Sequence, residues 1–218
     1  MNMNSASVLH DINKILEIVE LADEATSLSS DEDSVSEDIE HPKRSDFVET
    51  IDLMNDKVFK SHMRINRSTA DFLITKFSQS ASRVSCSNVG SPKCCIYIYV
   101  LYISNTVTFR QLENLFGVTK SSAWQIVPSV SAWLTTISHE YIQWPQVQGV
   151  VRNCRKFYEK GQIPNVIGAI GCAHIVIKAP AFGKQLYIDK KQNYSLTLQA
   201  VVDADKKFLD VYCGEPGS

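Results

Sequence analysis

One block, residues 108–127, constrains the fold more than any other part of the chain. Apolar residues recur in its first half at helical spacing, namely at Phe109, Leu112 and Phe116. Gly117 follows, and glycine ends helices readily because it adopts a left-handed conformation without steric cost. A second helical pattern begins after Thr119 or Ser121, and either residue can cap the new helix. The block therefore predicts two helices joined by a tight turn.

The second of these helices is predicted to bury Trp124 with Ile126 or Val127. Two interpretations fit. In a helix-turn-helix the second helix enters the major groove of DNA, whereas an ordinary helical hairpin has no DNA contact. In the first case serine and glutamine can read base edges, while basic side chains hold phosphate. The candidate DNA-contacting residues are Arg110, Lys120, Ser121, Ser122 and Gln125. Pro128 lacks an amide donor and is expected to kink this helix.

The segment before this block is also predicted to be mainly helical. Residues 66–77 suit a helix capped by Asn66 or Ser68, with Asp71 placed close to a capping-box position. Its predicted buried face holds Phe72, Leu73 and Phe77. The Ser-rich residues 78–92 predict a loop. Residues 94–103 have the composition of a buried strand, and composition alone leaves strand and helix open.

The last third of the chain is predicted to be rich in strands. Residues 166–170 are expected to form a short buried strand, whose glycine permits close approach of another backbone. Residues 194–203 and 208–214 alternate between apolar and polar side chains, which is typical of strands. Residues 203–207 predict a tight turn between them. Residues 181–192 are expected to form an excursion outside the sheet.

Charge is distributed unevenly along the chain. The total of −2 combines −10 over residues 1–40 with +8 over residues 41–218. Residues 8–21 have helical apolar spacing, and residues 22–40 predict a disordered acidic linker. A basic body suits a polyanionic partner, and it also suits an ordinary solvated surface that favours Lys and Arg.

Several classes of protein are disfavoured by composition. No stretch approaches the roughly 18 apolar residues that a membrane span needs, and no secretory signal is evident at the N-terminus. The cytoplasm and nucleus are therefore the expected compartments. None of the six cysteines forms a C-x-x-C pair, so we expect reduced thiols and no zinc site.

A series of motifs between Phe59 and Ser218 resembles the PIF/Harbinger transposases and the nuclease family derived from them. Besides the 108–127 block, the motifs are 59–77, 141–145, 164–170, 187–191, 195–203 and 214–218. The resemblance implies a ribonuclease H-like fold and a helix at residues 94–103. It also implies a triad of two aspartates and one glutamate that holds two divalent metal ions, Mg²⁺ or Mn²⁺, for DNA cleavage.

The chain departs from that family at the catalytic centre. The family's first aspartate follows a Gly-Ala-Ile motif, and here that position is Gly171, which has no side chain to bind a metal. Because the chain stops at Ser218, the second aspartate and the glutamate are expected to lie beyond it. Asp203 is a weak replacement candidate, and Asp205 and Asp210 lie nearby. Without a later parallel strand, the first strand of the sheet is expected to have an open apolar edge.

These observations together predict an α+β protein. A helical N-terminal region with a helix-turn-helix precedes the first, mainly antiparallel strands of an incomplete ribonuclease H-like domain. The expected division is an N-terminal helix and acidic linker at 1–46, a helical domain at 47–149 and a truncated nuclease domain at 150–218. The expected function is DNA binding without catalysis. The alternatives are a metal-dependent endonuclease and a protein-interaction module for a Myb-like partner, and a full-length relative is a further candidate partner.

Overall fold

The structure is a computed structural model that describes residues 46–80 and 90–217. The predicted helix at 8–21, the acidic linker and most of the predicted Ser-rich loop lie outside these residues. The described residues form seven α-helices and a three-stranded antiparallel sheet, which confirms the α+β class. The chain divides into two compact units between Thr136 and Ile137. No helix within the described ranges is long and apolar enough to cross a membrane.

The helices and strands follow one another in a simple order. The helices are α1 (Phe47–Leu53), α2 (Asp56–Met63), α3 (Arg67–Ser78), α4 (Pro92–Ser104), α5 (Phe109–Phe116), α6 (Lys120–Tyr141) and α7 (Val147–Gly161). The strands are β1 (Ala169–Val176), β2 (Ser195–Val202) and β3 (Phe208–Pro216), with a short 3₁₀ helix at Lys184–Tyr187 before β2.

Helix α4 forms the centre of the helical unit. It contacts α1, α2, α3 and α5, and nearly all of its side chains from Cys94 to Leu101 are buried. A helix that is covered on all sides is apolar all round, so it shows no amphipathic stripe. This explains the strand-like composition of residues 94–103, which are helical as the family resemblance implied.

Helix α3 confirms the predicted segment but corrects two of its details. Phe77 is fully buried, whereas Phe72 is 48% exposed and does not belong to the core. Asn66 occupies the N-cap position, as one of the two predicted caps, but its side chain does not make the predicted capping hydrogen bond. The segment forms a helix mainly because Ala70 and Phe77 are buried against its neighbours.

The sheet has the order β1-β2-β3, with both pairs antiparallel. Strands β2 and β3 lie where the alternating patterns predicted them. The first strand differs, because it begins at Ala169 rather than Val166 and is exposed along its whole length. The prediction of a buried strand at 166–170 was therefore wrong, since residues 166–168 precede the strand and no described element covers β1.

Candidate nucleic-acid interface

The turn between α5 and α6 has the geometry that the sequence predicted. Thr108 and Gln111 form a capping box at the start of α5, with the Thr108 amide donating to Gln111 Oε1 at 2.7 Å. Gly117 ends the helix in the left-handed conformation at φ 68°, and its amide donates to the Glu113 carbonyl at 3.0 Å. A residue with a Cβ would be strained at this φ, so glycine suits the tight turn.

Thr119 is one of the two predicted caps, and it caps the second helix from the position just before Lys120. Its Oγ1 accepts a hydrogen bond from the Ser122 amide at 3.1 Å. The same hydroxyl donates to Ser122 Oγ at 2.8 Å. Ser122 is also only half-exposed, so its hydroxyl is partly committed to the cap. The helix then continues through Pro128, where a kink was expected, and ends at Tyr141.

The other predicted contact residues are accessible. Arg110 on α5 and Lys120, Ser121 and Gln125 on α6 are all exposed. Within the described part of the chain, no hydrogen bond or ion pair engages the side chains of Arg110, Lys120 or Gln125. Ser121 and Gln125 are four residues apart, so they share one face of the helix. The exposed face therefore offers side-chain donors and acceptors that are available to a partner molecule.

Trp124 was predicted to be buried, and the structure corrects this. The buried stripe of α6 consists of Ala123, Ile126, Val130 and Trp133, whereas Trp124 is 37% exposed. Successive residues in a helix are rotated by about 100°, so the shift by one position moves the indole toward the polar face. The exposed face then combines Lys120, Ser121 and Gln125 with an aromatic ring, which the sequence pattern did not reveal.

Helix α7 was not predicted from the sequence. Lys156 donates a hydrogen bond to Asp205, and Lys160 donates one to the Ala204 carbonyl. Arg155 pairs with Glu159 one turn later at 2.8 Å. Two of the basic side chains therefore fasten α7 to the turn between β2 and β3, and a third is paired within the helix.

Gly171 lies in the middle of β1, opposite Ala200 on β2. A Cβ placed on Gly171 would meet nothing within 4 Å. Gly168 is different, because a Cβ there would lie 2.9 Å from Val201 Cγ1 and 3.2 Å from the Val202 carbonyl oxygen. Packing therefore requires a glycine at 168, as the predicted close backbone approach implied, but it does not require one at 171.

The carboxylates near the sheet are occupied by structural contacts. Asp203 Oδ1 accepts hydrogen bonds from the amides of Asp205 at 2.8 Å and Lys207 at 2.9 Å, which shapes the turn between β2 and β3. The Lys156 ammonium holds the pKa of Asp205 below its usual range. Asp210 lies exposed on β3. Within residues 46–80 and 90–217, no group of three or more His, Cys, Asp or Glu side chains could hold a metal ion.

Asp189 is a carboxylate that the sequence did not single out. It is buried, and its Oδ1 accepts hydrogen bonds from the amides of Asn193 at 2.9 Å and Lys191 at 2.8 Å. The hydrogen bond from the Asn193 amide, and to a smaller extent that from Lys191, lowers the pKa of the Asp189 carboxyl. Asp189 therefore holds the turn that leads into β2. Cys94 is likewise structural, since burial raises the pKa of its thiol to about 11.

Comparison with known proteins connects these features to a family. The chain is 30% identical over 171 residues to the ALP1-like protein of Arabidopsis thaliana, which covers 74% of this chain and 41% of that protein. It is 25% identical over 170 residues to the Rattus norvegicus protein named "Putative nuclease HARBI1", covering 77% of this chain and 49% of that one. The chain belongs to the Harbinger transposase-derived nuclease family.

A third Harbinger-type relative is the Arabidopsis thaliana protein named "Antagonist of Like Heterochromatin Protein 1". It is 32% identical over 103 residues, or 47% of this chain and 26% of that protein. The chain thus spans less than half the length of the Harbinger relatives it matches here. No family model matches the chain, and no solved structure matches it.

The described residues do not fit the metal pair that the Harbinger resemblance implied. Gly171 supplies no ligand atom at the position of the first family aspartate. Asp203 shares one carboxylate oxygen between two backbone amides, and Asp205 is paired with Lys156. Mg²⁺ sites use one or two carboxylates whose oxygens are free to bind the ion directly. We therefore derive no catalytic step through a metal ion in this part of the chain.

Proposed function

We propose that this chain is a DNA-binding member of the Harbinger nuclease family that does not cut DNA. The observation that carries the proposal is the exposed face of α6 after the Gly117 turn. Lys120, Ser121 and Gln125 on that face have the chemistry for phosphate and base-edge contacts. The N-terminal end of α6 also carries the positive end of the helix dipole, which favours a phosphate group there. In this proposal α5 and α6 act as a helix-turn-helix.

The proposed loss of cleavage rests on Gly171 and on the contacts of the neighbouring carboxylates. The space around Gly171 is open, so packing does not explain the absence of an aspartate there. Two-metal hydrolysis needs carboxylates that bridge or flank both ions. Asp203 and Asp205 instead stabilise the β2–β3 turn and its contact with α7. We accordingly propose that a divalent metal is not held competently by the described residues.

Binding of the 218-residue chain to labelled duplex DNA across a salt series, with Mg²⁺ present, tests both parts of the proposal. We expect the association constant to fall steeply with salt, because basic side chains displace condensed counterions. We expect the DNA in the same samples to remain intact. Mg²⁺-dependent cleavage products would overturn the proposed inactivity, and absence of binding at low salt would overturn the proposed DNA contact.

A protein-interaction role is the second candidate, and exposed apolar residues on α7 favour it. Val147, Val151 and Tyr158 lie exposed along this helix. The name of one Arabidopsis relative describes it as an antagonist of a heterochromatin protein, which is compatible with a chromatin partner for this chain. The partner could equally be Myb-like or a full-length relative, and the expected location is the nucleus together with the cytoplasm. A pull-down that survives nuclease treatment and is lost in Val151→Asp would favour this role.

A further inference from the structure

Helix α2 carries a row of basic side chains along one face. Lys57, Lys60 and Arg64 are spaced by three and four residues, so they follow one another on the same side of the helix. Phe59 and Met63 bury another side. All three basic residues are exposed, and within residues 46–80 and 90–217 no hydrogen bond or ion pair engages their side chains. Lys and Arg are almost never fully buried unless they are paired, so the row suits a partner that supplies negative charge.

Both ends of α2 are held by polar contacts, which fix the row on the helical unit. At the first turn the Arg67 guanidinium donates to Asp56 Oδ1 at 3.1 Å and lies 4.4 Å from the centre of the Phe59 ring. At the other end the Asn105 side-chain amide donates to the His62 carbonyl at 3.0 Å. Arg67 is committed to these internal contacts, unlike the three basic residues of the row.

The C-terminal end of the row lies at the same end of α4 as the start of α5. Asn105 directly follows α4 and precedes Arg110, the second residue of α5, by five positions. The rings of Tyr102 and Phe109 stack with their centres 4.9 Å apart, which holds the start of α5 against α4. Because Asn105 also binds the end of α2, Arg64 and the first turn of α5 belong to this one end of α4.

The stability of α2 does not account for the whole row. The helix dipole favours cations at Lys60 and Arg64, but it disfavours one at Lys57, which lies in the first turn. Arg64 also adopts the left-handed conformation at φ 59°, which glycine adopts at lower cost. Strained backbone of this kind concentrates at functional sites. A binding role explains why basic residues occupy both positions.

We propose that Lys57, Lys60 and Arg64 bind phosphates of the same DNA duplex that α6 contacts. The inference rests on the proposed DNA binding and adds a second contact surface to it. The row is about 10 Å long, at about 1.5 Å for each residue. A duplex presents one phosphate for each 3.4 Å or so of its axis on either strand, so about three phosphates match the row. Such contacts fix the position of a protein on the duplex, while base edges carry the sequence information.

The salt dependence of DNA binding by the 218-residue chain tests the α2 surface. The double variant Lys57→Ala with Lys60→Ala should reduce the slope of log K against log salt by about 2, because each phosphate contact contributes about 0.9. The matched control, Lys190→Ala with Lys191→Ala, removes two exposed lysines outside the helical unit and should keep the wild-type slope. Fluorescence anisotropy with labelled duplex measures both variants.

The outcomes of this experiment separate the α2 surface from the proposed function. Equal slopes for the two double variants would overturn the α2 surface. If the wild type binds DNA and only Lys120→Ala reduces the slope, the α2 surface is wrong and the proposed function stands. If the wild type does not bind duplex DNA at low salt, both are wrong.

Arg64→Gly separates phosphate binding from helix stability. Glycine relieves the left-handed backbone, so Tm should be unchanged or higher, while the slope of log K against log salt falls by about 1. Lys206→Gly is the matched control, because Lys206 is also exposed and has φ 65°, and it should keep the wild-type slope. Circular dichroism measures Tm, and anisotropy measures binding. A lower Tm with unchanged DNA affinity would show that Arg64 is structural and would remove it from the surface.

Discussion

Lys156 on α7 donates a hydrogen bond to the carboxylate of Asp205 in the turn between β2 and β3. Lys160 lies near the same carboxylate, with its Nζ 4.0 Å from Asp205 Oδ1. Both lysines thus join α7 to this turn through polar contacts. The buried residue of α7 is itself polar, namely Asn153.

The Asp205 contact predicts a pH dependence of stability. The folded chain lowers the pKa of Asp205 below its ordinary value of 3.8, chiefly through the hydrogen bond from Lys156. A lowered carboxyl pKa stabilises the folded state above the ordinary value, and this contribution is lost as the pH falls through the lowered one. Denaturant unfolding measures the free energy of unfolding at pH 7 and at pH 3. The decrease between the two pH values should be smaller for Asp205→Asn than for the wild type. An equal drop in both would contradict the contact.

Gly168 and Gly171 form a matched pair for testing packing around β1. We expect Gly168→Ala to lower the free energy of unfolding by about 1–3 kcal/mol, because the added methyl overlaps Val201 and the Val202 carbonyl. Gly171→Ala should be neutral or should stabilise by up to about 1 kcal/mol, since its Cβ meets open space and alanine has less freedom when unfolded. Urea denaturation of both variants measures the difference, and equal losses would show that our packing assignment is wrong.

Lys120 is the side chain whose removal should most clearly affect the proposed DNA contact. Lys120→Ala should weaken binding to all duplex sequences alike and reduce the slope of log K against log salt by about 1. Lys207→Ala removes the same charge from the turn between β2 and β3 and serves as the control for net charge. Fluorescence anisotropy across a salt series measures both. If the two variants lose the same affinity, the effect is one of overall charge and α6 is not the contact.

Local signals explain what the sequence could predict. The β2–β3 hairpin was predictable because alternation and a turn shaped by Asp203 lie within a few residues of each other. The α5–α6 turn was predictable because Gly117 and Thr119 occupy positions with specific backbone demands. The helical nature of α4 was not predictable from periodicity, since a helix that is buried on all sides has no polar face.

Features that depend on distant parts of the chain were harder to predict. Apolar residues at 166–170 suggested a buried strand, but the covering of a strand is decided by other elements, and no described element covers β1. The exposed side of α6 was misassigned at Trp124 because a shift of one residue changes which face is buried. The candidate DNA contacts stay predictions, since exposure shows that they are accessible and does not identify what they bind.

Trp124 and Trp133 lie on the same helix and allow a direct test of which face of α6 is buried. Trp133 is 2% exposed, and its ring lies 5.0 Å from that of Phe77 in an edge-to-face arrangement. Trp133→Ala should therefore lower the free energy of unfolding by about 3–5 kcal/mol, through lost burial and an unfilled cavity. Trp124→Ala should lower it by clearly less than Trp133→Ala does, because 37% of the Trp124 side chain is already exposed to solvent. Denaturant titrations followed by far-ultraviolet circular dichroism measure both values. If Trp124→Ala lost more free energy of unfolding than Trp133→Ala, α6 would be rotated from the orientation described. The exposed face with Lys120 and Gln125 would then have to be reassigned.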